Sequence, residues 1–334
     1  MRAVAITRHG APEVLTDVEL PDPVATGHDL LVRVRTVSVN PVDTKVRASG
    51  RPEARPKVLG FDAVGSVEAV GEHVTLFAPG DDVFYAGSLT RPGTNAELHL
   101  VDERIVGRKP ARLDDAEAAA LPLTAITAWE LLFDRLGVER GGGRGRRLLV
   151  AGAAGGVGSM LVQLAARLTD LEVVATASTP ESRQWVRDLG AHEVIDHRDL
   201  AAELRRVGPV DLIASLTGTT RNLPAFVEAI APQGAIAVID DPETLDIVPL
   251  KRKSVSVHWE LMFTRPMFAT PDLRAQHDLL QEVSALLDEG VLRTTLTRAL
   301  SPLSAATLAE AHRLVEAGGT PGKVVVSGWE RSGR

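Results

Sequence analysis

Between Leu148 and Leu168 the chain reads LLVAGAAGGVGSMLVQLAARL: aliphatic residues, a glycine-rich turn, then an amphipathic stretch. Few folds accept that order. A buried strand runs into a tight turn at Gly152, Gly155, Gly156, Val157 and Gly158, and a helix leaves it. The glycines let backbone N–H groups approach a pyrophosphate, and the helix N-terminus adds positive potential. A bare glycine triplet is weak evidence. With a strand before it, a helix after it and further β/α units behind, it specifies a dinucleotide-binding unit.

Those further units are LEVVATAS, EVIDH, VDLIASL and GAIAVID, mostly separated by helical patterns, with SVSVHWELMF read as one more strand. Strands alternating with helices imply a parallel sheet covered on both faces. The first third is different. AVAIT, DLLVRVRTVSV, GSVEAVG, GDDVFYAG and AELHLVDE are short β segments cut by Pro, Gly and Asp. Near residue 113 an alanine- and leucine-rich stretch, DDAEAAALPLTAITAWELLFDRLG, reads as one helix with Asp114 and Asp115 at its N-terminus. After Pro266 come two helices and two strands, LRTTLTRAL and GKVVVSG. Neither strand has a natural neighbour in the nucleotide sheet, so the tail is expected to return to the β-rich region.

At 334 residues, two domains are the default. The chain has no cysteine, which removes disulfides, thiolate nucleophiles and Cys-ligated zinc. Its net charge of −7 gives no global pull toward nucleic acid or anionic lipid. The run RGGGRGRR (140–147) admits an RNA-binding reading, but a Gly/Arg tract just before a strong strand is read as a solvated linker. No apolar run approaches membrane-spanning length and the N-terminus lacks a signal-peptide core, so a cytoplasmic protein is expected.

The end of the second nucleotide-unit strand reports on the cofactor. An NAD enzyme typically places Asp or Glu there to hold the ribose hydroxyls. This chain has Ala177, Ser178 and Thr179, with Arg183 following. Ser178 and Arg183 suit a 2′-phosphate, although Glu181 opposes it, so NADPH is preferred to NADH.

Taken together, VNPVDTKVR (39–47), GFDAVGSVEAVG (60–71), GDDVFYAG, AEAAALPLTAITAWE, GAAGGVG and the terminal GKVVV resemble the medium-chain dehydrogenase/reductase superfamily. The likeness is to its zinc-independent quinone oxidoreductase branch. TRPGTNAELHLVDERIVG, IDDPE and HWELMFTRPMF bring the chain nearest the bacterial zinc-type alcohol dehydrogenase-like proteins. The resemblance implies a doubly wound Rossmann sheet (residues 123–265) inserted into a β-rich, GroES-like catalytic domain (1–122 and 266–334). It also implies a homodimer paired through the last Rossmann strands.

Zinc members carry Cys at the position matching Asn40, His at Phe61 and a Cys or acid near Thr124; this chain has none of these ligands, and no zinc is expected. Without a Lewis acid, hydrogen bonds must stabilise developing negative charge, which favours quinones and enones over simple alcohols. The resemblance places Asn40 and Asp43 at the nicotinamide cleft, with Asp43 alternatively a brace of its loop. Lys45 departs from relatives that carry tyrosine there; it is read either as stabilising an enolate or reaching the cofactor, or as an exposed loop lysine. The resemblance also puts Tyr85, the only tyrosine, near substrate as a phenol able to donate a proton or hydrogen bond. It places Thr127 and Gly218 at the cofactor. Lys323 matches a lysine common to quinone oxidoreductases, without a role assigned. The expected activity is NADPH-dependent reduction of a quinone or enone. The alternatives are a zinc alcohol dehydrogenase and a non-catalytic NADP-binding protein.

Overall fold

The computed structural model describes residues 1–50 and 55–329. The chain forms two compact units, Met1–Leu123 with Phe263–Arg334, and Thr124–Met262.

Thr124–Met262 is built on six parallel strands in the order Glu193–Ile195, Glu172–Thr176, Arg147–Ala151, Val210–Ser215, Ile230–Val238 and Ser256–Trp259. In chain order that is 3-2-1-4-5-6, the arrangement of a dinucleotide-binding sheet. Residue choice follows position. The central strand RLLVA buries Leu148 through Ala151 because helices cover both its faces. The edge strand SVHW leaves both ends exposed. Leu149, Val174, Ile213, Phe226 and Ile236 share one apolar cluster. The strand expected over SVSVHWELMF is only Ser256–Trp259.

The other unit holds a seven-stranded sheet around the long strand Asp29–Val39. One edge of that strand pairs with Asp62–Val70; the other is divided, Leu98–Asp102 taking residues 29–33 and Lys323–Ser327 taking 36–39. The division falls at a register shift between Val34 and Thr36, where a bulge bends the strand and re-aims it. Val324 lies opposite Val39, so the chain end is stitched into the sheet made near the beginning. Leu296–Leu300 pairs beyond it.

The expected single helix from residue 113 is instead Asp115–Ala119, a break, Pro122–Trp129 and a π-helical turn over Glu130–Arg135. Asp114 caps the first piece, accepting from Glu117 N at 2.8 Å. Pro122 cannot donate a helical hydrogen bond and starts a new helix, its favoured first-turn place.

Candidate functional site

In the nucleotide-type unit, the strand Arg147–Ala151 ends at Gly152, whose φ is +90° and whose N–H donates to Thr176 Oγ1 at 2.9 Å. The helix Gly156–Leu168 begins after Gly155, which has no side chain to cap it. Its first backbone N–H groups therefore stay available for an anion. A Cβ at Gly158 would lie 2.4 Å from Gly152 O and 2.6 Å from Ala153 Cα, so only glycine lets helix and loop pack this closely. Gly218, at φ +64°, precedes the helix Thr219–Ala229. Thr219 N donates to Asp240 Oδ2 at 2.9 Å, bracing that turn. Thr127 is buried on the helix Pro122–Trp129.

Two cofactor residues differ from expectation in what they touch. Arg183 donates from Nη1 to Ala177 O (3.2 Å) and from Nη2 to Val194 O (3.1 Å), tying the ends of neighbouring strands together. Its guanidinium is a backbone brace here. Ser178 is half-buried, and its carbonyl faces Arg198 Nη2 at 3.5 Å.

In the β-rich unit, four residues far apart in sequence meet in one buried cluster. Asp62 is fully buried; its Oδ2 accepts from Ser38 Oγ (2.6 Å) and Asn40 Nδ2 (2.7 Å), and its Oδ1 accepts from the Leu123 N–H (2.7 Å). Lys323 Nζ stands 3.5 Å from Asp62 Oδ2, donates to Val39 O at 3.0 Å and donates to Asn40 Oδ1. The Asn40 amide is thus oriented by charge, oxygen toward the ammonium and nitrogen toward the carboxylate. Asn40 also opens the helix Pro41–Ala48, its N–H donating to Asp43 Oδ2 at 2.8 Å.

Burial governs the titration of this cluster. It pushes Asp62 up, against Lys323 and the three hydrogen bonds, and pushes Lys323 down, against Asp62 and Asp43. Asp43 is raised to about 7 by burial, opposed by the Asn40 N–H and Lys323, and among the described residues its Oδ1 has no hydrogen-bond partner. Two acids and one cation are enclosed together, so neutrality calls for one retained proton.

Tyr85 and Lys45 do not join them. The Tyr85 hydroxyl is fully buried and donates to His99 Nδ1 at 3.1 Å, while His99 Nε2 donates to Pro92 O at 3.0 Å. Burial drives the phenol well above its ordinary range and the imidazole down to about 4. This is a neutral, internally satisfied pair, and the proton-donor role does not suit it. Lys45 lies on the exposed face of its helix. Three residues central to this cluster, Asp62, Lys323 and Ser38, have no catalytic or binding role assigned from the sequence. Only the likeness of GKVVV to quinone oxidoreductases pointed at Lys323.

The same geometry tests whether a catalytic zinc fits. The Phe61 side chain is buried edge-on against Phe263, centroids 5.4 Å apart. The nearest oxygen ligands, Asp62 Oδ2 and Asn40 Oδ1, already face the Lys323 ammonium, which would repel a dication. Zinc takes Cys, His or carboxylate in tetrahedral sets, and the described residues contain no group of three or more His, Asp or Glu able to hold a metal. The donor set does not fit zinc.

Known proteins supply the lineage. Residues 26–111 match the alcohol dehydrogenase GroES-like domain and residues 189–326 the zinc-binding dehydrogenase domain. A zinc-type alcohol dehydrogenase-like protein of Staphylococcus aureus is 40% identical, covering 91% of this chain and 92% of its own. Human quinone oxidoreductase is 33% identical over 75% and 76%. Among solved structures, a Rhizobium etli protein assigned provisionally as a zinc-dependent alcohol dehydrogenase superposes with a TM-score of 0.95 at 56% identity, covering 99% of both chains. A mycobacterial protein complexed with NADPH gives 0.85 at 27% identity, covering 98% of this chain and 100% of its own. With its parallel nucleotide sheet and β-rich GroES-like unit, the chain belongs to the medium-chain dehydrogenase/reductase superfamily, an oxidoreductase family.

Proposed function

We propose that this protein transfers hydride from NADPH to a quinone or an α,β-unsaturated carbonyl compound, with no metal taking part. The observation that carries the reading is the ammonium–amide–carboxylate cluster. At a position where zinc members of the family hold a ligand, Asn40 is fixed between Lys323 and Asp62. One amide hydrogen of Asn40 is given to Asp62 Oδ2, and we assign the second to a substrate oxygen. A neutral N–H polarises a carbonyl less than a Lewis acid does. Conjugated acceptors need less. Hydride adds to the β-carbon as the C=C π bond breaks, its electron pair moves to the carbonyl oxygen, and the enolate then takes a proton from water. In a quinone the same shift yields an aromatic hydroquinone.

NADPH is favoured over NADH because Ala177, Ser178 and Thr179 stand at the end of the second strand where an NAD enzyme places an acid, and a relative in the same fold is complexed with NADPH. A second copy of the chain is the natural neighbour for the edge strand Ser256–Trp259, whose Trp259 is 56% exposed. No helix among the described residues is long and apolar enough to cross a membrane.

The test is NADPH oxidation, followed by absorbance, over a panel of quinones, enones, aldehydes and ketones, with and without chelator. Turnover of quinones or enones that survives chelation is expected. Stoichiometric zinc lost together with activity would restore the alcohol dehydrogenase reading. Tight NADPH binding with no turnover across the panel would favour a non-catalytic role.

A further inference from the structure

Beyond the ends of the second and third strands of the parallel sheet stands an arginine that sequence reading passes over. The strand Glu172–Thr176 continues through Ala177 to Ser178, and Glu193–Ile195 continues to Asp196 and a short turn, His197–Asp199. Arg198, on that turn, brings Nη2 to 3.5 Å from Ser178 O. Its Nε lies 3.0 Å from each carboxylate oxygen of Asp196, and its Nη2 lies 2.5 Å from Oδ2. Its side chain is 70% exposed, and among the described residues its hydrogen bonds run from Nε and Nη2, none from Nη1. Arg183, the arginine that sequence spacing favours, is instead held on Ala177 O and Val194 O.

In a doubly wound sheet the adenosine ribose lies outside the carboxyl end of the second strand, about 20 residues past the glycine loop, and a nearby Arg accommodates a 2′-phosphate. We propose that Arg198 is the residue that separates NADPH from NADH, taking the 2′-phosphate on its open Nη1 side beside Ser178, while Asp196 opposes it as a fixed competing anion. The assignment rests on the NADPH reading above. Asp196 is held at about 2 by the Arg198 guanidinium, so it is an anion at any working pH. A phosphate must therefore share a guanidinium already engaged by a carboxylate, whereas a ribose hydroxyl meets no such competition. The two adjacent residues should then act on cofactor choice with opposite signs, which a surface ion pair of no function would not do.

The experiment is the affinity of the full chain for NADPH and NADH, and for 2′,5′-ADP against 5′-ADP, by calorimetry, so no acceptor substrate is needed. Arg198→Ala is expected to weaken NADPH and 2′,5′-ADP about tenfold and leave NADH within about twofold, the scale of one charge-assisted contact. Asp196→Asn is expected to tighten NADPH about threefold. Arg183→Met should weaken both cofactors alike, because it loosens the strand ends. If the unaltered chain binds NADH more tightly, the NADPH reading fails and the assignment with it. If it prefers NADPH but Arg198→Ala leaves the ratio unchanged, or Arg183→Met alone collapses it, the assignment alone is overturned.

Discussion

Each unit of this protein buries two carboxyl groups beside one cation, and the two solve the resulting charge problem differently. In the β-rich unit, Asp62 is met by an ammonium, an amide, a hydroxyl and a backbone N–H. In the nucleotide unit, Glu260 accepts from Arg135 Nε at 2.8 Å, but its other neighbour is a second buried acid, Glu130. Burial and Glu130 raise Glu260 to about 8 against the pull of Arg135. One site balances charge mainly with fixed donors, the other with a proton. The first is stiff and oriented, as a group presenting Asn40 should be. The first changes state near pH 7 through Asp43, the second near pH 8 through Glu260.

Removing the fixed cation should have the largest effect. Lys323→Met leaves Asp62 and Asp43 enclosed with no counter-charge, and breaking such a pair typically costs about 3–5 kcal/mol. Both carboxyls titrate above their ordinary values in the fold, so the folded state binds protons more readily than the unfolded one. Stability must then rise as pH falls from about 7 toward 4. Urea unfolding of Lys323→Met should show a loss of that order at pH 7.5, mostly recovered at pH 5. A loss unchanged on acidification would mean that Lys323 contributes packing rather than charge.

That cluster was also the hardest part of the molecule to read from the chain. Asn40, Asp62 and Lys323 lie 22 and 283 residues apart along the contacts they make, and only the pairing of Val324 with Val39 brings the lysine in. Loop-local logic cannot see such a meeting. The phosphate loop was legible because its constraint is local: Gly158 must be glycine owing to atoms within six residues. The β/α alternation likewise announced the parallel sheet. Pro122 was hidden in an alanine-rich stretch whose composition favours helix on both sides, so the break before it went unread. Spacing favoured Arg183 as the phosphate ligand and passed over Arg198, since it does not reveal that the Arg183 side chain folds back onto strand carbonyls.

The second cluster offers the intermediate effect. Glu260 holds its proton in the fold up to about pH 8, whereas the unfolded carboxyl releases it near 4.5. Between those values the folded state carries more protons, so wild-type stability should fall as pH rises and level off above about 8. Glu260→Gln keeps the shape and removes the titration. Its melting temperature should track the wild type near pH 5 and exceed it at pH 9, by an amount corresponding to on the order of 1–2 kcal/mol. Parallel pH profiles would show that Glu260 and Glu130 do not share a proton, and the contrast between the units would fail.

The smallest effect belongs to a buried polar pair that carries no charge. Tyr85 and His99 stack with centroids 5.6 Å apart and satisfy each other, phenol donating and imidazole accepting. With the phenol raised and the imidazole lowered to about 4, neither changes state between pH 5 and 9. Tyr85→Phe deletes one neutral hydrogen bond and strands His99 Nδ1, a cost of about 1–2 kcal/mol. The loss should be equal at every pH in that range, and turnover per folded molecule should stay within about threefold, since a general acid typically contributes a hundredfold or more. A pH-dependent loss would show that the pair ionises. A hundredfold fall in kcat with folding intact would return Tyr85 to the reaction itself, making the β-rich unit's neutral pair, rather than its charged cluster, the chemically active one.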